Sequence, residues 1–346
     1  MRRKGQGLVG GLAGVAGAVI WALAAAVYQP LMQPHGFWTD SSTGQTFPEV
    51  GGNNTYWPRD IRQLAILLAF GAVILICRTN VRGVLAGAIA TVGWLAVDLW
   101  LDRMDVAGGA TAAWLAVGGV ALFSTAAVVA ARVSKGQVGT ALARQLSAGV
   151  AAVLAVATMV VTTPWDEPVT DPDQVRIENA LSMLKAGLVV MFVAVVLGLV
   201  AVQLTFLRAR RVVAFVVVAA LAAWLATGNH GSLTAVGLIG MPVAAALAVV
   251  AVREVSLIRL LPVAVACCVV LLPAAVILYL AGSAVGTAMT SLAGNPPVNS
   301  ADTDLSIAVS GLLLGLLLAS VSHVMTRPAH GSDSLERDSG PVLKRA

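Results

Sequence analysis

Charge is what this chain lacks. Only 11% of its 346 residues are Asp, Glu, Lys or Arg, whereas soluble domains carry roughly 25%. So few charges cannot cover a water-facing surface, and a chain that is 58% hydrophobic with a mean hydropathy of +0.87 cannot hide its apolar residues in one soluble core. Cysteine is nearly as scarce. Cys77, Cys267 and Cys268 fall within apolar runs without CxxC spacing, which excludes a zinc site of that pattern and a structural disulfide framework. The histidines His35, His230, His323 and His330 are isolated, none belongs to an HExxH, and no Walker loop is present. Catalysis finds no footing in such a set, so the chain is read as not an enzyme, with no metal and no cofactor. Any ATP coupling would have to come from a separate subunit. No cytoplasmic segment is long enough to fold by itself, which excludes a built-in signalling domain.

What the chain has instead is apolar runs of about twenty residues, the length a helix needs to cross roughly 30 Å of hydrocarbon at 1.5 Å per residue. Ten can be read: 7 to 28, 61 to 77, 83 to 101, 110 to 131, 146 to 164, 180 to 206, 212 to 228, 233 to 252, 260 to 281 and 305 to 325. The fold class expected is therefore all-α, a polytopic transmembrane bundle over 1–325, followed by a disordered tail at 326–346 rich in Gly, Ser and Pro. The first run follows "MRRK" and resembles a signal peptide, but its length favours an uncleaved anchor. Runs two to five and six to nine share an order of elements, with "GWLA" answered by "AWLA", so four-helix repeats at 59–164 and 173–281 are a further expectation.

The few charges are sorted. With the N-terminus inside, alternation of the spans puts 17 of the 22 Lys and Arg residues on the cytoplasmic side, among them Arg78, Arg82, Arg132, Lys135, Arg144 and Arg211. Arg59, Arg62, Arg103, Arg176 and Lys185 fall on the other side with 13 of the 17 acidic residues. Basic residues are favoured in short cytoplasmic loops, so both termini are expected inside. The same bias points to anionic membrane lipid as a partner and away from nucleic acid. Arg outnumbering Lys, with Ala, Val and Gly abundant, reads as a high-GC bacterial protein of the cell (inner) membrane.

The eight tryptophans gather toward the outer half in this topology, as an interfacial belt or as the lining of an outward vestibule. Near two of them lies "WLAVDLWLDRMD" (94–105), where Asp98 and Asp102 interrupt an apolar helix. A carboxylate in lipid costs a few kcal/mol even by translocon scales, so Asp98 should face the bundle and find a partner or a proton. Lys185, at similar depth on the sixth run, is the partner expected first, with Arg62 and Arg176 as substitutes. An ion pair is the plain reading; a protonation or cation-ligand site is the functional one. The outer segments 29–60 and 165–178 add Trp57, Arg59, Asp60, Trp165 and Asp166 as candidates for a ligand cap, against an ordinary hydrated loop. Pro164, Pro168 and Pro172 should keep the acidic stretch 163–179 extended.

Two features concern packing. Gly7 with Gly11, Gly10 with Gly14, and Gly311 with Gly315 have the small-xxx-small spacing that lets helices approach. Pro242, Pro262 and Pro273 sit within runs eight and nine and are expected to kink or break them. Many helices, outer aromatics and helix-breaking prolines suit a permease or the membrane subunit of a transporter, which is the function expected. A partner membrane protein or a separate ATPase subunit goes with it. A non-catalytic scaffold in envelope assembly or cell division is the alternative, favoured by the uncharged inner bundle. An outer-leaflet membrane enzyme resting on the two loops is the third.

Overall fold

The computed structural model describes residues 2–32, 37–39, 42–48, 57–161, 172–200, 206–227, 233–252, 257–294 and 304–326. These are helical apart from turns and one short hairpin. Helix α1 (Arg2–Leu23) runs through a π-helical turn (Ala24–Tyr28) into α2 (Gln29–Met32). The antiparallel strands β1 (Phe37–Thr39) and β2 (Thr46–Pro48) follow. Then come α3 (Trp57–Ile76), α4 (Val81–Arg103), α5 (Gly109–Ser134), α6 (Ala141–Val161), α7 (Pro172–Val200), α8 (Phe206–Thr227), α9 (Leu233–Val252), α10 (Leu260–Ala293) and α11 (Asp304–Met325). A long helix thus lies on each apolar run. Five stretches, Gly5–Met32, Val81–Arg103, Gly109–Ser134, Ala141–Thr158 and Val175–Val200, are long and apolar enough to cross a membrane by length and composition.

Boundaries moved where local chemistry was stronger than hydropathy. Helix α3 begins at Trp57 rather than at 61, because Pro58 suits a first helical turn and Asp60 meets the positive end of the helix dipole there. Helix α7 begins at Pro172 for the same reason, so residues 172–179 are helical and not extended. The basic stretch Arg208–Arg211 lies in the first turns of α8. Pro242 and Pro273 lie inside α9 and α10, which continue through them rather than breaking. The links 162–171, 201–205, 228–232 and 253–256 and the tail from 327 lie outside the described residues, Trp165 and Asp166 with them.

Helices α1, α3, α6 and α9 form the middle of the bundle: α1 packs on α3, α5 and α7, and α6 packs on α7, α9 and α11. Their buried faces are rich in alanine, among them Ala13, Ala18, Ala65, Ala69, Ala148, Ala152 and Ala248, which brings backbones close together. Two of the glycine pairs serve this packing. A methyl group on Gly14 would sit 2.0 Å from the Phe123 ring and one on Gly10 2.7 Å from Ile76; on Gly315 it would lie 3.0 Å from the Val150 backbone. The Gly7 and Gly11 positions face open space. Helices α4 and α5 are peripheral: only 22% of each apolar stretch is buried, against 61% of the α6 stretch. Their outward Leu85, Ile89, Val92, Trp114 and Val117 suit contact with lipid.

The two ends of the bundle differ. Gln6 Nε2 donates to Gly198 O at 3.0 Å, Gly139 N donates to Arg78 O at 2.9 Å, and Arg211 Nη1 donates to Val250 O at 3.1 Å. These bonds tie together the ends of α1, α3, α5, α7, α8 and α9 that carry the basic residues. The other end holds Trp21, the start of α3 and the end of α4. Arg62 and Ile76 are fourteen residues apart on α3, so the two ends stand about 21 Å apart.

Candidate functional site

Buried charge collects at that second end. Asp98 and Asp102 are four residues apart on α4, and Arg59 and Arg62 are three apart on α3, so each pair occupies one helical stripe and the stripes face each other. Asp102 Oδ1 accepts from Arg62 Nη1 at 2.9 Å, and its Oδ2 accepts from Arg59 Nη2 at 2.8 Å. Asp98 Oδ2 accepts from Arg62 Nη2 at 3.2 Å, while its Oδ1 lies 3.0 Å from Arg62 Nε and accepts from Trp21 Nε1 at 2.7 Å. The Arg62 guanidinium therefore bridges both carboxylates, its planar fork of five donors offering separate N–H groups to each in a fixed geometry that an ammonium lacks. All four charged side chains are at most 5% exposed. Two cations oppose two anions, and each carboxylate oxygen of Asp98 and Asp102 already has a donor or a cation. Such a knot holds α1, α3 and α4 together and leaves no vacant oxygen for a bound cation.

Three tryptophans wall this region. Trp21 meets Trp94 edge to face, with ring centroids 5.3 Å apart, and Trp57 lies 5.4 Å from Lys185 Nζ, within cation–π range. All three rings are buried, whereas Trp100, Trp114 and Trp224 are more than half exposed. Interior wall and outward belt thus coexist.

The sequence-derived residues come out as follows. Asp98, Asp102 and Arg62 meet, but the expected Asp98–Lys185 pair is replaced by Asp98–Arg62 because the bridging fork satisfies both acids at once. Lys185 is 5% exposed and packs beside Trp57 instead of reaching outward. Arg176 pairs with Asp173 one turn away on the exposed face of α7. Trp57, Arg59 and Asp60, expected in a loop, are buried in the first turn of α3. Sequence reading missed Trp21 as a donor and Arg59 as a knot member; the matched spacings of the two Arg and the two Asp were the signal that would have found Arg59.

The basic end is built differently. Helix α3 closes with Arg78 N–H bonded to Leu75 O and Thr79 N–H to Ile74 O, the double bond that ends many helices. The left-handed position there is usually glycine, yet Arg78 holds it at φ 56° and β-branched Thr79 follows at φ 58°. Gly139 presses on this turn so closely that a methyl group would lie 1.9 Å from Thr79 O. Nearby, Gln145 Oε1 hydrogen-bonds His323 Nδ1, joining α6 to α11. Between α3, α6, α7 and α11 runs a partly open apolar cavity of about 360 Å³, lined by Phe70, Gly71, Val150, Leu154, Phe192 and Leu316 among others. That volume is within the range of small-molecule sites, about 300–1,000 Å³. The cavity reaches Thr79 and Leu199, which also border a much smaller gap shared by Arg78 and Arg144.

No family model matches the chain, and no curated protein or solved structure is significantly similar to it.

Proposed function

We propose that the chain is a ten-span protein of the bacterial cell membrane, with both termini on the basic, cytoplasmic side, and that it is a permease or the membrane subunit of a transporter. The apolar cavity carries this reading: it is drawn from helices in both halves of the chain, opens partly between them, and holds no charge in its wall. Its solute is accordingly apolar or amphipathic. Two experiments test the reading. A reporter active only in the cytoplasm should work when fused after Ala346 and fail when fused near Gly51. In a chain with its three cysteines changed to serine, Leu154→Cys should react with a membrane-impermeant maleimide from each side in turn; reaction from one side alone would count against transport.

A scaffold role is the second reading, supported by the ion-paired knot and by the broad outward faces of α4 and α5. Mild-detergent purification separates the two, since an ATPase partner supports the first and an assembly complex the second.

A further inference from the structure

We propose that the apolar cavity and the Arg78–Arg144 pair form one binding site for an anionic phospholipid, with an acyl chain in the cavity and the phosphate across the two guanidiniums. The proposal rests on the transport reading of that cavity and names the class of its ligand. Four observations meet there. The cavity and the smaller gap share Thr79 and Leu199, so the apolar wall runs directly into the arginine pair. The Nε atoms of Arg78 and Arg144 are buried, and neither has a hydrogen-bond partner among the described residues. Every described Asp and Glu lies toward the opposite ends of the helices, so no described carboxylate neutralises the pair. Finally, the chain places arginine where a helix end of this type takes glycine, and clamps the turn with Gly139.

A phosphate is the group this chemistry recognises. Arg78 and Arg144 border the same gap, planar guanidiniums suit the oxygens of a phosphate, and a basic pocket between transmembrane helices on the cytoplasmic side suits an anionic headgroup. The gap itself is only about 10 Å³, so the phosphate lies across its mouth and not inside it. A free anion would gain nothing from the apolar wall of Phe70, Ile74, Val150, Leu154, Val195 and Leu316 beside it. A lipid gains from both.

The test uses the full chain in mild detergent, mixed with phosphatidylglycerol, phosphatidylcholine or inorganic phosphate, with retained molecules read by native mass spectrometry. Phosphatidylglycerol should be retained one to one, phosphatidylcholine at least tenfold less, and inorganic phosphate should not compete. The Arg78→Gln/Arg144→Gln variant should lose phosphatidylglycerol at least tenfold, and Gly71→Phe, which fills the cavity and leaves both arginines in place, should lose it too. Equal retention of the two lipids, full retention by either variant, or displacement by phosphate alone would each overturn the site. Failure of the transport reading looks different. Tight phosphatidylglycerol binding with one-sided labelling of Leu154→Cys would keep the lipid site and remove transport; two-sided labelling without lipid selectivity would do the reverse.

Discussion

The two ends of this bundle handle charge in opposite ways. At one end Arg59, Arg62, Asp98 and Asp102 are buried, matched and mutually bonded. At the other, Arg78 and Arg144 have no side-chain partner among the described residues, and an apolar cavity opens beside them. Balanced buried charge holds helices together, whereas unbalanced charge beside a cavity is where the anionic lipid is proposed to bind. On this reading one end is structural and the other is the proposed recognition site.

The sharpest way to break the comparison is to unbalance the knot. Asp102→Leu removes an ionic partner of Arg59 and half of the Arg62 fork, and should destabilise the protein by about 3–5 kcal/mol, read as a fall in thermal unfolding temperature in detergent. Next is Gly139→Ala, which drives a methyl group into the Thr79 carbonyl. The turn must shift, at a cost of about 1–3 kcal/mol in the same assay, and phosphatidylglycerol retention should fall with it. Trp21→Phe removes one charge-assisted hydrogen bond but leaves Asp98 its arginine, so about 1.5 kcal/mol is expected. Lys185→Met should cost least, about 1 kcal/mol for a cation over the Trp57 ring, because Lys185 is not the ionic partner of Asp98.

Sequence alone located each of the ten long helices among the described residues, since an apolar run of about twenty residues satisfies its own backbone only as a helix once water is excluded. It also identified Asp98 as a carboxylate in need of a partner, for burial in an apolar run is visible without a fold. The partner was not visible. Lys185 and Arg62 both lay at suitable depth, and depth along a helix says nothing about which helices are neighbours or which faces meet. Helix starts erred where proline and aspartate act locally: Trp57, Arg59 and Asp60 read as loop because hydropathy averages over the first turn. The cavity and the arginine turn left no trace at all. Arg78 and Arg144 counted only as topology signals, and nothing in "CRTNVR" announces that an arginine takes a left-handed position.

The contrast between the ends stands on the knot being structural, and one comparison of thermal unfolding tests that directly. Asp98→Leu alone is set beside a fourfold variant, Arg59→Leu, Arg62→Met, Asp98→Leu and Asp102→Leu, in the same detergent. The single change leaves Arg62 half-paired and the Trp21 indole without its acceptor; the fourfold change removes every charge of the knot together. Since stranding one buried charge costs more than replacing the whole set by apolar residues, Asp98→Leu should unfold at a clearly lower temperature than the fourfold variant. Unfolding of Asp98→Leu at the wild-type temperature would contradict a structural knot and return Asp98 to the list of working carboxylates.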